Sequence, residues 1–179
     1  MLQKQNLPTT VIFCKEQIKS DANVVWNTIA TPGILEFCHP FCKENKVTKW
    51  GEVGSKDSIV YYNNLKLYRF FTEWKEKKGY TLLIGRGNVA VAEVFWNVEA
   101  INDKITSLSI SIHIFTDIAL KSYPKFLRPL LKYIYLIPKM SHYIKSVVKG
   151  FKYYIETGKT VEKNMFGLNK MFSTKTLAS

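Results

Sequence analysis

The sequence predicts one α+β domain in which a curved antiparallel sheet of about seven strands is closed by a long C-terminal helix, with two short helices after the first strand. Three observations carry this. Six strand-like runs follow one another at short intervals between residues 46 and 115. The last of them alternates strictly, with Leu108, Ile110, Ile112 and Ile114 on one side and Ser107, Ser109, Ser111 and His113 on the other. From Asp117 the period changes to that of a helix and stays so to about Thr157.

The first element is the run Thr9-Thr10-Val11-Ile12-Phe13-Cys14, β-branched and aromatic, extending to about Ile18. Ser20 or Asp21 then offers a helix cap, and Val25, Trp26, Ile29 and Ala30 recur at helical spacing until Thr31-Pro32-Gly33 ends the run. Ile34 to Phe37 makes a second short helix before His39-Pro40, where proline turns its predecessor away from helical geometry.

Strands are predicted at 46–50, 58–62, 65–74, 80–86, 89–100 and 104–115. Asn63-Asn64 and Asn102-Asp103 suit tight turns because Asn and Asp tolerate left-handed backbone. Val94, Trp96 and Val98 share the inward side of their strand, opposite Glu93, Asn97 and Glu99. In 65–74 the charges Arg69 and Glu73 fall with Leu67 and Phe71, so Tyr68, Phe70 and Trp74 are read as inward. Arg69 and Glu73 are then an exposed ladder pair or, less simply, a buried polar pair.

Beyond Asp117 two helical pieces are expected, with Pro124, Pro129 and Pro138 as breaks or first-turn residues. In the second, Met140, Tyr143, Ile144, Val147, Val148, Phe151, Tyr154 and Ile155 form a broad apolar stripe that must lie against something apolar. Gly158 is a suitable stop. Residues 1–160 are read as one domain and 161–179 as a polar tail anchored by Met165 and Phe166.

This order of elements resembles the START-like, or SRPBCC, superfamily and its helix-grip fold, over roughly residues 9–160. The opening Val24-Val25-Trp26-Asn27-Thr28-Ile29 before a Pro-Gly turn resembles that family's usual start. The stretch Lys149-Gly150-Phe151-Lys152-Tyr153-Tyr154-Ile155-Glu156-Thr157-Gly158-Lys159 is similar to the closing helix of many bacterial members. The resemblance implies a ligand space between sheet and helix. The family includes lipid and sterol carriers, hormone receptors and polyketide cyclases, so the fold alone does not name an activity.

The residues read as facing that space are Tyr68, Phe70, Trp74, Val94, Trp96, Ile110, Ile112, Tyr143, Val147 and Phe151. Their chemistry suits a small hydrophobic ligand, lipid-like or aromatic, and no cofactor is called for. The bland reading, that aromatics such as Trp26, Trp96 and Phe151 are simply core, competes with it. A cyclase or hydratase using the same cavity is the alternative, although the inward faces offer few acids or bases beyond tyrosine hydroxyls.

Other motifs carry less. Cys38-His39-Pro40-Phe41-Cys42 gathers metal-ligating residue types, but no fourth ligand is apparent and His113 and His142 are distant, so no metal site is assigned. A Cys–His catalytic pair there lacks a third group to orient the base, and the segment is read as a structural loop near the cavity mouth. Gly85-Arg86-Gly87 joins two strands and lacks the helix N-terminus of a phosphate cradle.

A net charge of +12 is large for 179 residues and is read first as a solvated basic surface. No nucleic-acid partner is expected. The stretch Lys121–Lys139 interleaves Phe126, Leu127, Leu130, Tyr133 and Ile134 with Lys125, Arg128 and Lys132, which makes an anionic membrane surface a further partner to consider. Its apolar core, Phe126 to Ile137, is too short and too interrupted to span a bilayer. The opening residues Met1 to Pro8 lack a secretory apolar run, and the three cysteines fit a reducing compartment, so a cytoplasmic location is expected.

Overall fold

The computed structural model describes residues 2–4 and 7–175; Met1, Gln5 and Asn6 of the opening segment and 176–179 of the tail lie outside the described residues. Seven antiparallel strands form one sheet in the order β1-β7-β6-β5-β4-β3-β2. These are β1 (Thr9–Ile18), β2 (Cys42–Lys49), β3 (Lys56–Tyr61), β4 (Lys66–Lys75), β5 (Gly79–Arg86), β6 (Val89–Asn102) and β7 (Ile105–Phe115). Helices α1 (Ala22–Ile29) and α2 (Leu35–Cys38) follow β1, α3 (Thr116–Ala119) follows β7, and α5 (Ile137–Thr157) closes the chain's main body.

Local chemistry explains the boundaries. The Asp21 carboxylate accepts the Asn23 backbone N–H at 2.7 Å and starts α1, whose Val25, Trp26 and Ile29 are buried. Gly158, at φ +70°, ends α5 with its N–H donated to the Tyr154 carbonyl. On β7 the residues Leu108, Ile110, Ile112 and Ile114 are all buried, as their alternation requires.

The expected face of β4 is reversed. Leu67, Arg69 and Phe71 point inward and are buried, whereas Tyr68 is exposed and Phe70 packs with Leu2, Leu83 and Phe115 in a small separate cluster. The register against β5 then slips between Phe71 and Glu73, which inserts an extra residue and returns Trp74 to the core side. A charged residue decided the parity wrongly because its partner lies on another strand.

The helical region also differs from two separate pieces. After α3 and a turn, the chain runs from a 3₁₀ turn at Lys125–Leu127 through α4 (Arg128–Leu131) and a π turn at Lys132–Leu136 directly into α5. The π turn ends two residues before Pro138 and contains Ile134, the residue four back; Pro138 has no N–H to give that carbonyl and its ring crowds it, and widening the turn keeps the helix continuous.

The residues after α5 fold back on the domain. Val161 donates its N–H to the Phe37 carbonyl and Asn164 to that of Pro40, while Asn169 Nδ2 reaches the Lys139 carbonyl at 2.8 Å. The buried apolar anchors are Val161 and Phe172, whereas the expected anchor Met165 is exposed.

Helix α5 meets the α2–β2 connection at Gly150, where a Cβ would stand 2.1 Å from the Cys38 carbonyl oxygen. That approach holds the loop carrying His39 against the helix carrying Tyr143. Alanine is the better helix former by about 1 kcal/mol, but a clash with backbone in a packed core costs about 1–3 kcal/mol or more. Gly150→Ala should therefore lower the urea unfolding midpoint, and a raised midpoint would show that the loop is not tightly seated.

Candidate functional site

Between the concave face of the sheet and α5 lies a cavity of about 440 Å³, within the range of pockets that hold drug-sized molecules. Its walls are mainly aliphatic: Leu82, Val94, Ile110, Ile112 and Ile114 from the sheet, and Met140, Ile144 and Val147 from α5. The exposed members of its lining, Arg86, Val89, Ala119, Lys121 and Ser122, all belong to the β5–β6 turn or the chain after β7, so the cavity opens there. Met171 and Phe172 contribute part of the wall.

The far end is polar. His39, Tyr61, Arg69 and Tyr143 all line it. The Phe41 backbone N–H is donated to His39 Nδ1 at 3.1 Å, which leaves the imidazole proton on Nε2. Nε2–H can then donate to the Tyr143 hydroxyl at 3.1 Å, and Tyr143 and Tyr61 share a hydrogen bond of 2.9 Å. Phe172 packs at a tilt against both tyrosine rings, at 4.8 Å and 4.3 Å between centroids.

The charges beside them cancel. Arg69 and Asp57 are directly opposed in the β3–β4 register, and both are buried. Arg69 donates through Nε to Asp57 Oδ1 at 2.7 Å and through Nη2 to Oδ2. Asn45 Nδ2 adds a bond of 3.0 Å to the same carboxylate and one of 3.1 Å to the Ser58 carbonyl. Burial opposes the guanidinium charge, but the Asp57 carboxylate more than offsets it and keeps Arg69 protonated.

Burial, reinforced by the Arg69 charge, depresses the His39 imidazole to about 3. Burial pushes the Tyr143 phenol up to about 12 and raises Tyr61 well above its ordinary value. The cluster is thus a set of neutral hydrogen-bonding groups. The thiols are inert as well: Cys38 is raised by burial, and Cys42 is pushed up to about 12 by burial first. Among the described residues no three His, Cys, Asp or Glu side chains gather as a metal site would require.

Of the ten residues read from sequence as facing the ligand space, Val94, Trp96, Ile110, Ile112, Tyr143 and Val147 line the cavity. Tyr68 and Phe70 lie on the other face of the sheet, Trp74 packs on Trp26, Trp50 and Tyr80, and Phe151 lies edge-on behind Trp96. The cluster of large aromatics fills one end of the core solidly. His39 belongs to the buried end of the cavity and not to its mouth. Nor does Arg69 pair with Glu73, which is exposed and bonds Lys75 and Thr81.

Sequence reasoning missed Tyr61, Arg69 and Phe172. A signal for the first two exists: Asp57, Ile59 and Tyr61 share one parity of their strand, and Leu67, Arg69 and Phe71 share one parity of the next. An acid and a base embedded in two adjacent apolar faces indicate an inward pair.

No family model matches the sequence, and no curated protein matches it. Solved structures do match. A Staphylococcus aureus protein of unknown function superposes with a TM-score of 0.65 at 13% identity, covering 84% of this chain and 96% of that one. The Aha1 dimer protein of Colwellia psychrerythraea gives 0.61 at 15%, covering 84% and 98%. The chain has the helix-grip fold. A third helix-grip structure, norcoclaurine synthase from Thalictrum flavum, was solved with dopamine and hydroxybenzaldehyde; it gives 0.56 at 11% identity, covering 89% and 97%.

The depressed imidazole has a consequence for stability. His39 stays neutral in the folded protein down to about pH 3, whereas in the unfolded chain it takes up a proton below about pH 6.5. Between those values the unfolded state binds more protons, so stability falls as pH falls, by up to about 1.4 kcal/mol per pH unit from this one group. His39→Gln should reduce the proton uptake on unfolding between pH 4 and 6 by close to one, measured from urea unfolding across that range. An unchanged uptake would mean that His39 is accessible to water when folded.

Proposed function

We propose that this chain binds a small, largely apolar molecule carrying one neutral hydroxyl or carbonyl group, with that group seated at the His39–Tyr143–Tyr61 end of the cavity. The observation that carries the reading is a space with mainly aliphatic walls whose buried end presents neutral hydrogen-bonding groups, the charges at that end, Arg69 and Asp57, neutralising each other. A carboxylate placed there would be a buried charge without a counter-charge, which is far costlier than a neutral group that finds a hydrogen bond.

Binding is favoured over chemistry for a specific reason. An acid or base catalyst works best with a pKa near the operating pH, and His39, Tyr61 and Tyr143 are all displaced away from neutrality by burial. A cyclase or hydratase would have to use the tyrosine hydroxyls purely as hydrogen-bond donors to a developing negative charge. Carriage or sensing asks only that they recognise the ligand.

The test is displacement of the neutral dye N-phenyl-1-naphthylamine. Saturable binding is expected at one molecule per chain, with dodecanol and 2-dodecanone competing at least tenfold better than dodecane. Tyr61→Phe and Tyr143→Phe should each weaken the alcohol by about fivefold, the worth of a net hydrogen bond of about 1 kcal/mol. Ile112→Trp should abolish dye binding by filling the space. Dye binding that never saturates, or that survives Ile112→Trp in a variant of normal melting temperature, would refute the proposal.

A further inference from the structure

The helical run between β7 and α5 carries apolar side chains on the side that faces water. Phe126, Leu130, Tyr133 and Ile134 are 81%, 56%, 65% and 63% exposed, and their spacing of three and four residues sets them along one side of the helix. Leu131, Leu136, Ile137 and Met140 meanwhile pack on the core. A helix at a protein surface is ordinarily polar on its outer side, so a contiguous exposed stripe of this kind marks a docking face.

Charge says what it docks on. Lys121 and Lys125 are exposed beside the stripe, and the Lys132 ammonium lies 5.4 Å above the Tyr133 ring. From Ile118 to Ile155 the sequence has eight Lys and Arg and no Asp or Glu, so the basic excess is concentrated in this part of the chain. A second copy would bring two sets of like charges together, which opposes self-association through this face. Among the described residues no helix is long and apolar enough to cross a membrane.

We propose that the segment from Lys121 to Leu136 lies in the plane of an anionic phospholipid surface, its aromatic and leucine stripe at the headgroup boundary and its lysines against the phosphates. Ile118, Ala119, Lys121 and Ser122 also line the cavity where it opens, so docking turns the mouth toward the bilayer. The inference goes beyond ligand binding and stands on the surface alone. Arg128 has a different duty: it donates to the Tyr123 and Lys121 carbonyls and to Asp117, which ties the segment into its shape.

The experiment is co-sedimentation with vesicles of phosphatidylcholine alone and of phosphatidylcholine with phosphatidylserine. The wild type should bind the anionic vesicles at low salt and release as salt screens the charge. The variant Lys125→Gln/Lys132→Gln, at two lysines that do not line the cavity, should lose partitioning on the order of thirtyfold, the combined attraction of two lysines near such a surface. Phe126→Ser/Leu130→Ser should lose it as well, whereas Lys75→Gln/Lys77→Gln/Lys78→Gln should match the wild type. Tryptophan placed by Phe126→Trp should shift its emission to the blue on binding. Unchanged melting temperature and dye titration in each variant separate this proposal from the ligand reading. It is overturned by absence of wild-type binding at low salt, by equal losses from the two lysine variants, or by a solution dimer that Phe126→Ser/Leu130→Ser dissociates.

Discussion

The buried pair of Arg69 and Asp57 is the constraint around which the interior is arranged. A guanidinium inside the concave face of a sheet is tolerable only with a geometrically matched carboxylate, and direct opposition in the β3–β4 register supplies one. Asn45 satisfies more of the same carboxylate. The pair as a whole is neutral, yet the Arg69 charge helps keep His39 unprotonated, and the Phe41 N–H fixes which nitrogen carries the proton. That in turn sets the direction of the hydrogen bond to Tyr143. Removing Arg69 alone would leave Asp57 as an uncompensated charge and disturb every group at that end.

The space itself comes from an uneven division of large and small side chains. At one end Trp26, Trp50, Trp74, Tyr80 and Trp96 pack ring against ring, with Phe151 behind them, and leave no room. At the other, the inward positions of β5 to β7 are leucine, isoleucine, valine and alanine, which reach less far across the curve of the sheet. The bulge in β4 serves this division because it sends Arg69 and Phe71 inward before the slip and Trp74 inward after it. Phe172, from beyond α5, closes the polar end against the two tyrosines.

The architecture was legible because its signals are local. Alternation in β7, the helical stripe from Met140 to Ile155 and the turn residues at Asn63-Asn64 each act within a few residues. The cavity's aliphatic wall followed from the same alternation, as Val94, Ile110 and Ile112 show. What failed depended on partners distant in sequence. Charge on Arg69 was read as a mark of exposure because Asp57, which makes its burial possible, lies on another strand, and a bulge changes parity without a sequence rule strong enough to announce it. The return of Phe172 to the core is likewise a long-range event.

The account therefore rests on a claim about one end of one cavity: that neutral tyrosine hydroxyls held by His39 receive the polar group of an otherwise apolar ligand. The most direct measurement is the titration of ¹³C-tyrosine-labelled protein with dodecanol, followed by carbon–proton correlation spectra. The account predicts that the Tyr61 and Tyr143 resonances move and saturate at one equivalent, while those of Tyr123 and Tyr133 on the exposed helix stay in place. Movement of Tyr123 and Tyr133 with Tyr61 and Tyr143 stationary would contradict it.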